Sequence, residues 1–139
     1  MTIPVWVLLG FAAWTLLTLF GGVGVYRWSH ILTGRAQIKE FRADVPQGSE
    51  WYLRAMRAHA NCIENLPVYA AIVVALEASG LHSSTIDVLA IVLLVARICQ
   101  TVAHIALTPT NAAASIRFAF FFTQAASMVA MIVIITLNA

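Results

Sequence analysis

Residues 54–67 read Arg54-Ala-Met-Arg57-Ala-His59-Ala-Asn61-Cys-Ile-Glu64-Asn65-Leu-Pro67 and run, with no turn residue between, into the apolar stretch Val68–Leu76. A polar cluster continuous with a segment long enough to cross a bilayer is expensive in hydrocarbon. It therefore has to face protein or a wet cavity, and intramembrane charge of this kind marks function. Everything around the cluster supports the membrane reading. Of the 139 residues 61% are hydrophobic and 10% are charged, with a mean hydropathy of +0.87. A soluble domain of that composition has too little polar side chain to cover itself.

Four stretches reach the roughly 20 residues needed to cross a core of about 30 Å: residues 3–26, 51–79, 84–107 and 113–137. The expected fold is all-α, one four-helix transmembrane bundle spanning residues 1–139, with no internal repeat or second domain. Ser84 with Asp87 suits a capping box opening the third span, Gly80 suits the stop before it, and Thr110 or Asn111 suits the cap of the fourth. Gly21, Gly22 and Gly24 loosen the end of the first span or allow close helix packing.

Basic residues orient the bundle. The connection over residues 27–50 holds Arg27, Arg35, Lys39 and Arg42, whereas residues 80–83 and both termini hold none. The positive-inside rule then puts the first and third connections in the cytoplasm and both termini outside. The N-terminus lacks the basic region of a cleaved signal, so the first span is expected to be retained. The expected location is an integral membrane, a bacterial inner membrane, with the polar site facing the cytoplasm.

At 1.5 Å per residue the polar groups of three spans meet in that half of the membrane. Arg54, Arg57, Asn61 and Glu64 occupy roughly the first 20 Å of the second span. Arg97 lies about 15 Å and His104 about 5 Å from the end of the third, and Arg117 is in the second turn of the fourth. Spacings of three, four and three stack Arg54, Arg57, Asn61 and Glu64 in one stripe, and Arg97, Gln100 or Thr101, and His104 form another. Four arginines and one glutamate carry a net charge of about +3 at reference pKa values. Two helix N-termini on the same side add positive potential, so the site calls for an anion.

The run R-x-x-R-A-x-x-N-x-x-E over residues 54–64 resembles the second-helix signature of the membrane-associated proteins in eicosanoid and glutathione metabolism, the MAPEG family. Arg97 and Arg117 sit where that family keeps arginines, and length, layout and the long first connection agree over essentially the whole chain. The resemblance implies a homotrimer that binds glutathione between subunits near the cytoplasmic face. It assigns Arg57, Asn61 and Glu64 to glutathione binding, with Arg54 beside them, Arg97 as a contact from the third span, and Arg117 facing the sulfur. Departures from eukaryotic members are Ala60 in place of a basic residue, Gln100 and His104 in place of tyrosines, and Phe118 in place of a serine.

The chemistry can be argued beside the resemblance. Arginine forks suit the two carboxylates of glutathione, and Glu64 suits its ammonium. A thiol of pKa near 8.5 needs about 2.7 kcal/mol of preferential anion stabilisation to be ionised two units lower. Arg117 is the catalytic candidate for that role, with His104 as a second donor or proton acceptor. Other readings stand beside these: Arg54 as a headgroup anchor, Arg57 and Glu64 as a structural ion pair, His59 as a packing residue.

Cys62 and Cys99 have no partner at metal or redox spacing and read as small buried hydrophobes, no metal site is expected, and the tryptophans include interface-belt candidates. The expected function is a glutathione-dependent membrane enzyme that conjugates or reduces hydrophobic electrophiles, its partners being glutathione, hydrophobic small molecules or lipids, and the bilayer, with no nucleic acid. The alternatives are a non-catalytic lipid- or glutathione-binding scaffold on the same fold, and a small transporter. Four-helix exporters rely on a carboxylate in the first span, and residues 1–26 contain no charged side chain.

Overall fold

The computed structural model describes residues 1–42 and 44–139. The first span is a continuous helical rod built from α1 (Ile3–Thr18), a π-helical turn (Leu19–Gly24) and α2 (Val25–Leu32). It is followed by α3 (Glu50–Ser79), α4 (Ser84–Ala106) and α5 (Asn111–Asn138), and no strand occurs among the described residues. All four rods are long and apolar enough to cross a membrane.

Local chemistry sets the boundaries. The side chain of Ser49 accepts the amide of Tyr52 and opens α3, and Gly80 closes it in the left-handed conformation at φ 65°, where glycine avoids the Cβ clash. Thr110 caps α5 by accepting the amide of Ala113 at 3.1 Å. The cap of α4 is Ser83, which accepts the amide of Thr85. Ser84 is already helical, so the expected capping box at Ser84 and Asp87 is displaced by one residue.

The first rod also departs from its expected end at Tyr26. Glycines at 21, 22 and 24 neither end the helix nor unwind it; they accommodate a wider turn, and the helix runs on to Leu32. Close packing is one reason for the glycines: a Cβ on Gly22 would stand 3.4 Å from that of Ala55 on α3. Beyond the turn, Tyr26 stacks on Tyr52 with ring centroids 4.1 Å apart. Arg27 Nε donates to the Tyr52 hydroxyl at 2.8 Å and its guanidinium lies 5.6 Å from the Phe41 ring centre. This cation–aromatic cluster ties the basic connection to the start of α3. Farther out, Arg42 pairs with Asp44 and holds that carboxyl below its ordinary range.

At the opposite end the Tyr69 hydroxyl donates to the Pro4 carbonyl at 3.0 Å and Thr2 donates to the Glu77 carboxylate at 2.6 Å. The start of α1 is thereby fixed to the second half of α3. Between the two ends lies an apolar core that includes Phe11, Cys62, Tyr69, Leu76, Ala90, Leu93 and Met131. Lipid-facing positions such as Phe20, Val74, Phe118 and Phe122 are exposed, as expected where the surrounding solvent is hydrocarbon. Trp14 does not belong to an interfacial belt: its indole is half-buried in mid-span and donates to Thr101 at 3.1 Å.

Candidate functional site

The connection Leu107–Thr110 between α4 and α5 is short, so the two helices run antiparallel and bring residues at equal distance from the turn to equal depth. Gln100 and Arg117, each six residues from its helix end, stand level in this way, and it is His104 and Arg117, about one turn apart in depth, that meet at one cleft. With Glu50, Leu53, Arg54, Arg57 and Pro109 they line a cleft of ≈ 210 Å³ beside the α4–α5 turn. A second cleft of ≈ 350 Å³ is lined by Pro46, Leu53, Met56, Arg57 and Ala60. Leu53 and Arg57 form the wall between them. Together they fall within the roughly 300–1,000 Å³ of small-molecule sites.

Three of the four arginines expected in the site, Arg54, Arg57 and Arg117, line the first cleft. Arg54 has a second task. Its Nε donates to the Ile105 carbonyl at 3.1 Å, satisfying one of the last acceptors of α4, and its Nη1 stands 3.9 Å from the Glu50 carboxylate. Arg57 is exposed and Arg117 half-buried. Neither forms an ion pair among the described residues, so the expected structural pair of Arg57 with Glu64 does not form within one chain.

His104 is 6% exposed. Asn61 Nδ2 lies 3.0 Å from its Nε2. An amide N–H can only donate, so Nε2 is the accepting nitrogen and the proton resides on Nδ1. That Nδ1 is buried and has no partner. His104 lines the cleft together with Arg54, Arg57 and Arg117, so a buried ring with an unpaired N–H shares its surroundings with three guanidinium groups.

Arg97 and Glu64 lie outside the cleft lining. Arg97 is 1% exposed, its guanidinium carbon is 5.5 Å from the Phe11 ring centre, and its Nε and Nη2 have no hydrogen-bond partner. Glu64, exposed on the outer face of α3, is the carboxylate whose charge acts on it. Beside Arg97, Thr101 Oγ1 donates to the Arg97 carbonyl at 2.9 Å and accepts from Trp14. Cys62 Sγ, 3.8 Å from the same oxygen, is left to act as donor. His59 turns away from this face to Thr18 on α1, 2.9 Å from its hydroxyl.

Sequence reasoning overlooked Gln124 and named Gln100 as an alternative to Thr101 and as a departure from the family's tyrosines, without a role in the site. Both are buried. Gln124 Nε2 donates to Gln100 Oε1 at 2.9 Å, and Gln100 Nε2 donates to the Arg117 carbonyl at 3.3 Å. The available signal was two amides in apolar spans, one three residues after Arg97 and the other seven after Arg117, each on its arginine's own helix face.

Polar groups from three helices thus gather at the end of the bundle that carries the basic connection. No curated protein and no solved structure matches the chain. The model of the MAPEG family matches residues 4–137 of the 139, and with four apolar helices in the order described, the chain belongs to the MAPEG family of integral membrane proteins.

Proposed function

We propose that the protein is a glutathione-dependent membrane enzyme that transfers the glutathione thiolate to a hydrophobic electrophile or uses it as a reductant. The observation that carries this reading is the cleft lined by Arg54, Arg57 and Arg117 together with His104, a buried histidine whose Nδ1 has no partner. Guanidinium forks bind carboxylates in paired hydrogen bonds. Arg57 and Glu64 are two helical turns apart on one face, about 10 Å, which matches the reach of an extended tripeptide. Glutathione has its glycine carboxylate at one end and an α-carboxylate and ammonium on one carbon at the other, so the glycine carboxylate suits the arginine end and the ammonium suits Glu64. Arg117, near the N-terminus of α5, is then the cation for the sulfur, and its field together with the helix end favours the thiolate.

The experiment compares glutathione with S-methyl glutathione on purified protein in detergent. A thiolate absorbance near neutral pH with glutathione, absent with the methylated ligand, supports the enzyme. Tight binding of both ligands without thiolate formation makes the protein a scaffold.

The same reading includes a homotrimer with its site on the cytoplasmic side. Arg57 and Glu64 are exposed on α3, and an unpaired charge at membrane depth costs about 2.5–3.5 kcal/mol on insertion scales. A neighbouring subunit removes that cost by covering them, and the uncharged first span supplies a suitable face. The expected result of native mass spectrometry in a mild detergent is a trimer. A monodisperse, folded monomer that still binds glutathione would sink the shared site.

A further inference from the structure

We propose that Gln100 and Gln124 are positioning residues: a buried amide relay that fixes the Arg117 turn of α5 against α4 and so aims the Arg117 side chain into the cleft. The inference rests on the reading of Arg117 as the cation facing sulfur. It concerns residues that do not touch the ligand.

The relay is directional. Gln124 Nε2 donates both to the Phe120 carbonyl on its own helix, at 2.9 Å, and to Gln100 Oε1 across the helix interface, at 2.9 Å. Gln100 Nε2 then donates to the Arg117 carbonyl at 3.3 Å. Gln124 follows Arg117 by seven residues, two turns on the same face, and side chains lean toward a helix N-terminus. The two amides therefore bracket the stretch from Arg117 to Gln124 and hold both of its ends to one point on α4. Gln124 is 1% and Gln100 4% exposed, so water does not compete for these bonds and they act at full strength.

Geometry explains why a tether is needed here. The outward surface of α5 near Arg117 is mainly apolar: Ile116, Phe118, Phe121 and Phe122 are exposed on the outside of the chain. Apolar contacts are non-directional and allow α5 to rotate about its axis. A rotation of α5 by a few tens of degrees would keep those residues in hydrocarbon and swing Arg117 away from His104. A carbonyl-to-amide bond has an angle as well as a length, and it opposes that rotation.

The test is the double variant Gln100→Met/Gln124→Met, in which an unbranched side chain of similar reach replaces each amide and no buried polar group is left unpaired. Hydrogen exchange over residues 113–121 is expected to quicken by about tenfold while α3 and the remainder of α4 keep their protection. With glutathione, the pH midpoint of thiolate formation is expected to move up. Turnover is expected to fall by about tenfold or more, with KM changed by no more than about twofold. Should the double variant not assemble, Gln100→Asn, which keeps the amide and shortens its reach by one methylene, is measured in the same way.

Unchanged exchange over residues 113–121 overturns the proposal regardless of activity. Faster exchange with an unaltered thiolate midpoint and turnover also overturns it, because the pair would then be a packing contact only. A wild-type protein that binds glutathione yet forms no thiolate fails the reading of Arg117 itself, and the positioning role falls with it. Loss of the relay's effect in a wild type that does form thiolate is thereby distinct from loss of the function.

Discussion

Arg117→Ala is expected to lower turnover by about a hundredfold or more, equivalent to about 2.7 kcal/mol of lost transition-state stabilisation, while affinity for the thiol form of glutathione changes far less. Arg117 shares the cleft with His104, Arg54 and Arg57. Arg54 and Arg57 continue to bind carboxylates, so a group that acts on sulfur alone shows itself in turnover and not in affinity. Arg117→Lys is expected to restore part of the rate, since a point charge on a flexible stem replaces a planar fork. Pre-steady-state kinetics with glutathione and an aryl halide provide the measurement. Equal losses of turnover and affinity would move Arg117 into the binding set, and full activity in the alanine variant would pass the catalytic role to His104, which lines the same cleft.

Glu64→Gln is expected to weaken glutathione binding by about tenfold to a hundredfold, because one charge-assisted hydrogen bond to the ammonium is worth about 1.5–3 kcal/mol. The substitution preserves shape and hydrogen-bonding capacity. Glu64 is also exposed on its helix and makes no ion pair among the described residues, so little of the single chain's stability depends on it. Isothermal titration with the folded assembly checks the outcome. An unchanged dissociation constant would assign Glu64 to subunit packing and to balancing the buried charge of Arg97.

The four spans were legible because length and apolar composition suffice in a solvent where every backbone group has to be paired within its own helix. The polar stripe of α3 was legible because its spacing of three and four is the helix period itself. Depth was legible to within about a turn: counting residues from the α4–α5 connection put His104 and Arg117 near the same end of the bundle, and both line one cleft. What periodicity does not contain is the partner across a helix interface. Arg97, Gln100 and His104 share one buried stripe, yet Arg97 meets Phe11, Gln100 meets α5 and His104 meets Asn61. Gln124 went unnoticed because a lone amide in a long apolar helix has no companion of its own kind to form a pattern with. The π-helical turn was missed because three glycines permit a helix to stop, bend or widen, and only the packing of Gly22 on Ala55 decides among these.

That wide turn acts as a phase adjuster for the whole first rod. Phe11, Thr15, Thr18 and Gly22 are buried at spacings of four, three and four, and an unbroken α-helix would continue the seam through Val25 and Ser29. Both of those are exposed, and it is Tyr26 and His30, each one position later, that are half-buried, with Arg27 beside Tyr26. One surplus residue has rotated the second half of the rod by about 100°, the angular step of a single α-helical residue. Deletion of one residue between Leu19 and Gly24 would remove the surplus and the wide turn together: Tyr26 and His30 would take the 25th and 29th places of an unbroken α-helix and stay on the seam. A chain of unchanged length that ran through this stretch as regular α-helix would still span the membrane, but Tyr26 would turn away from Tyr52 and the basic connection would lose its mooring to the start of α3.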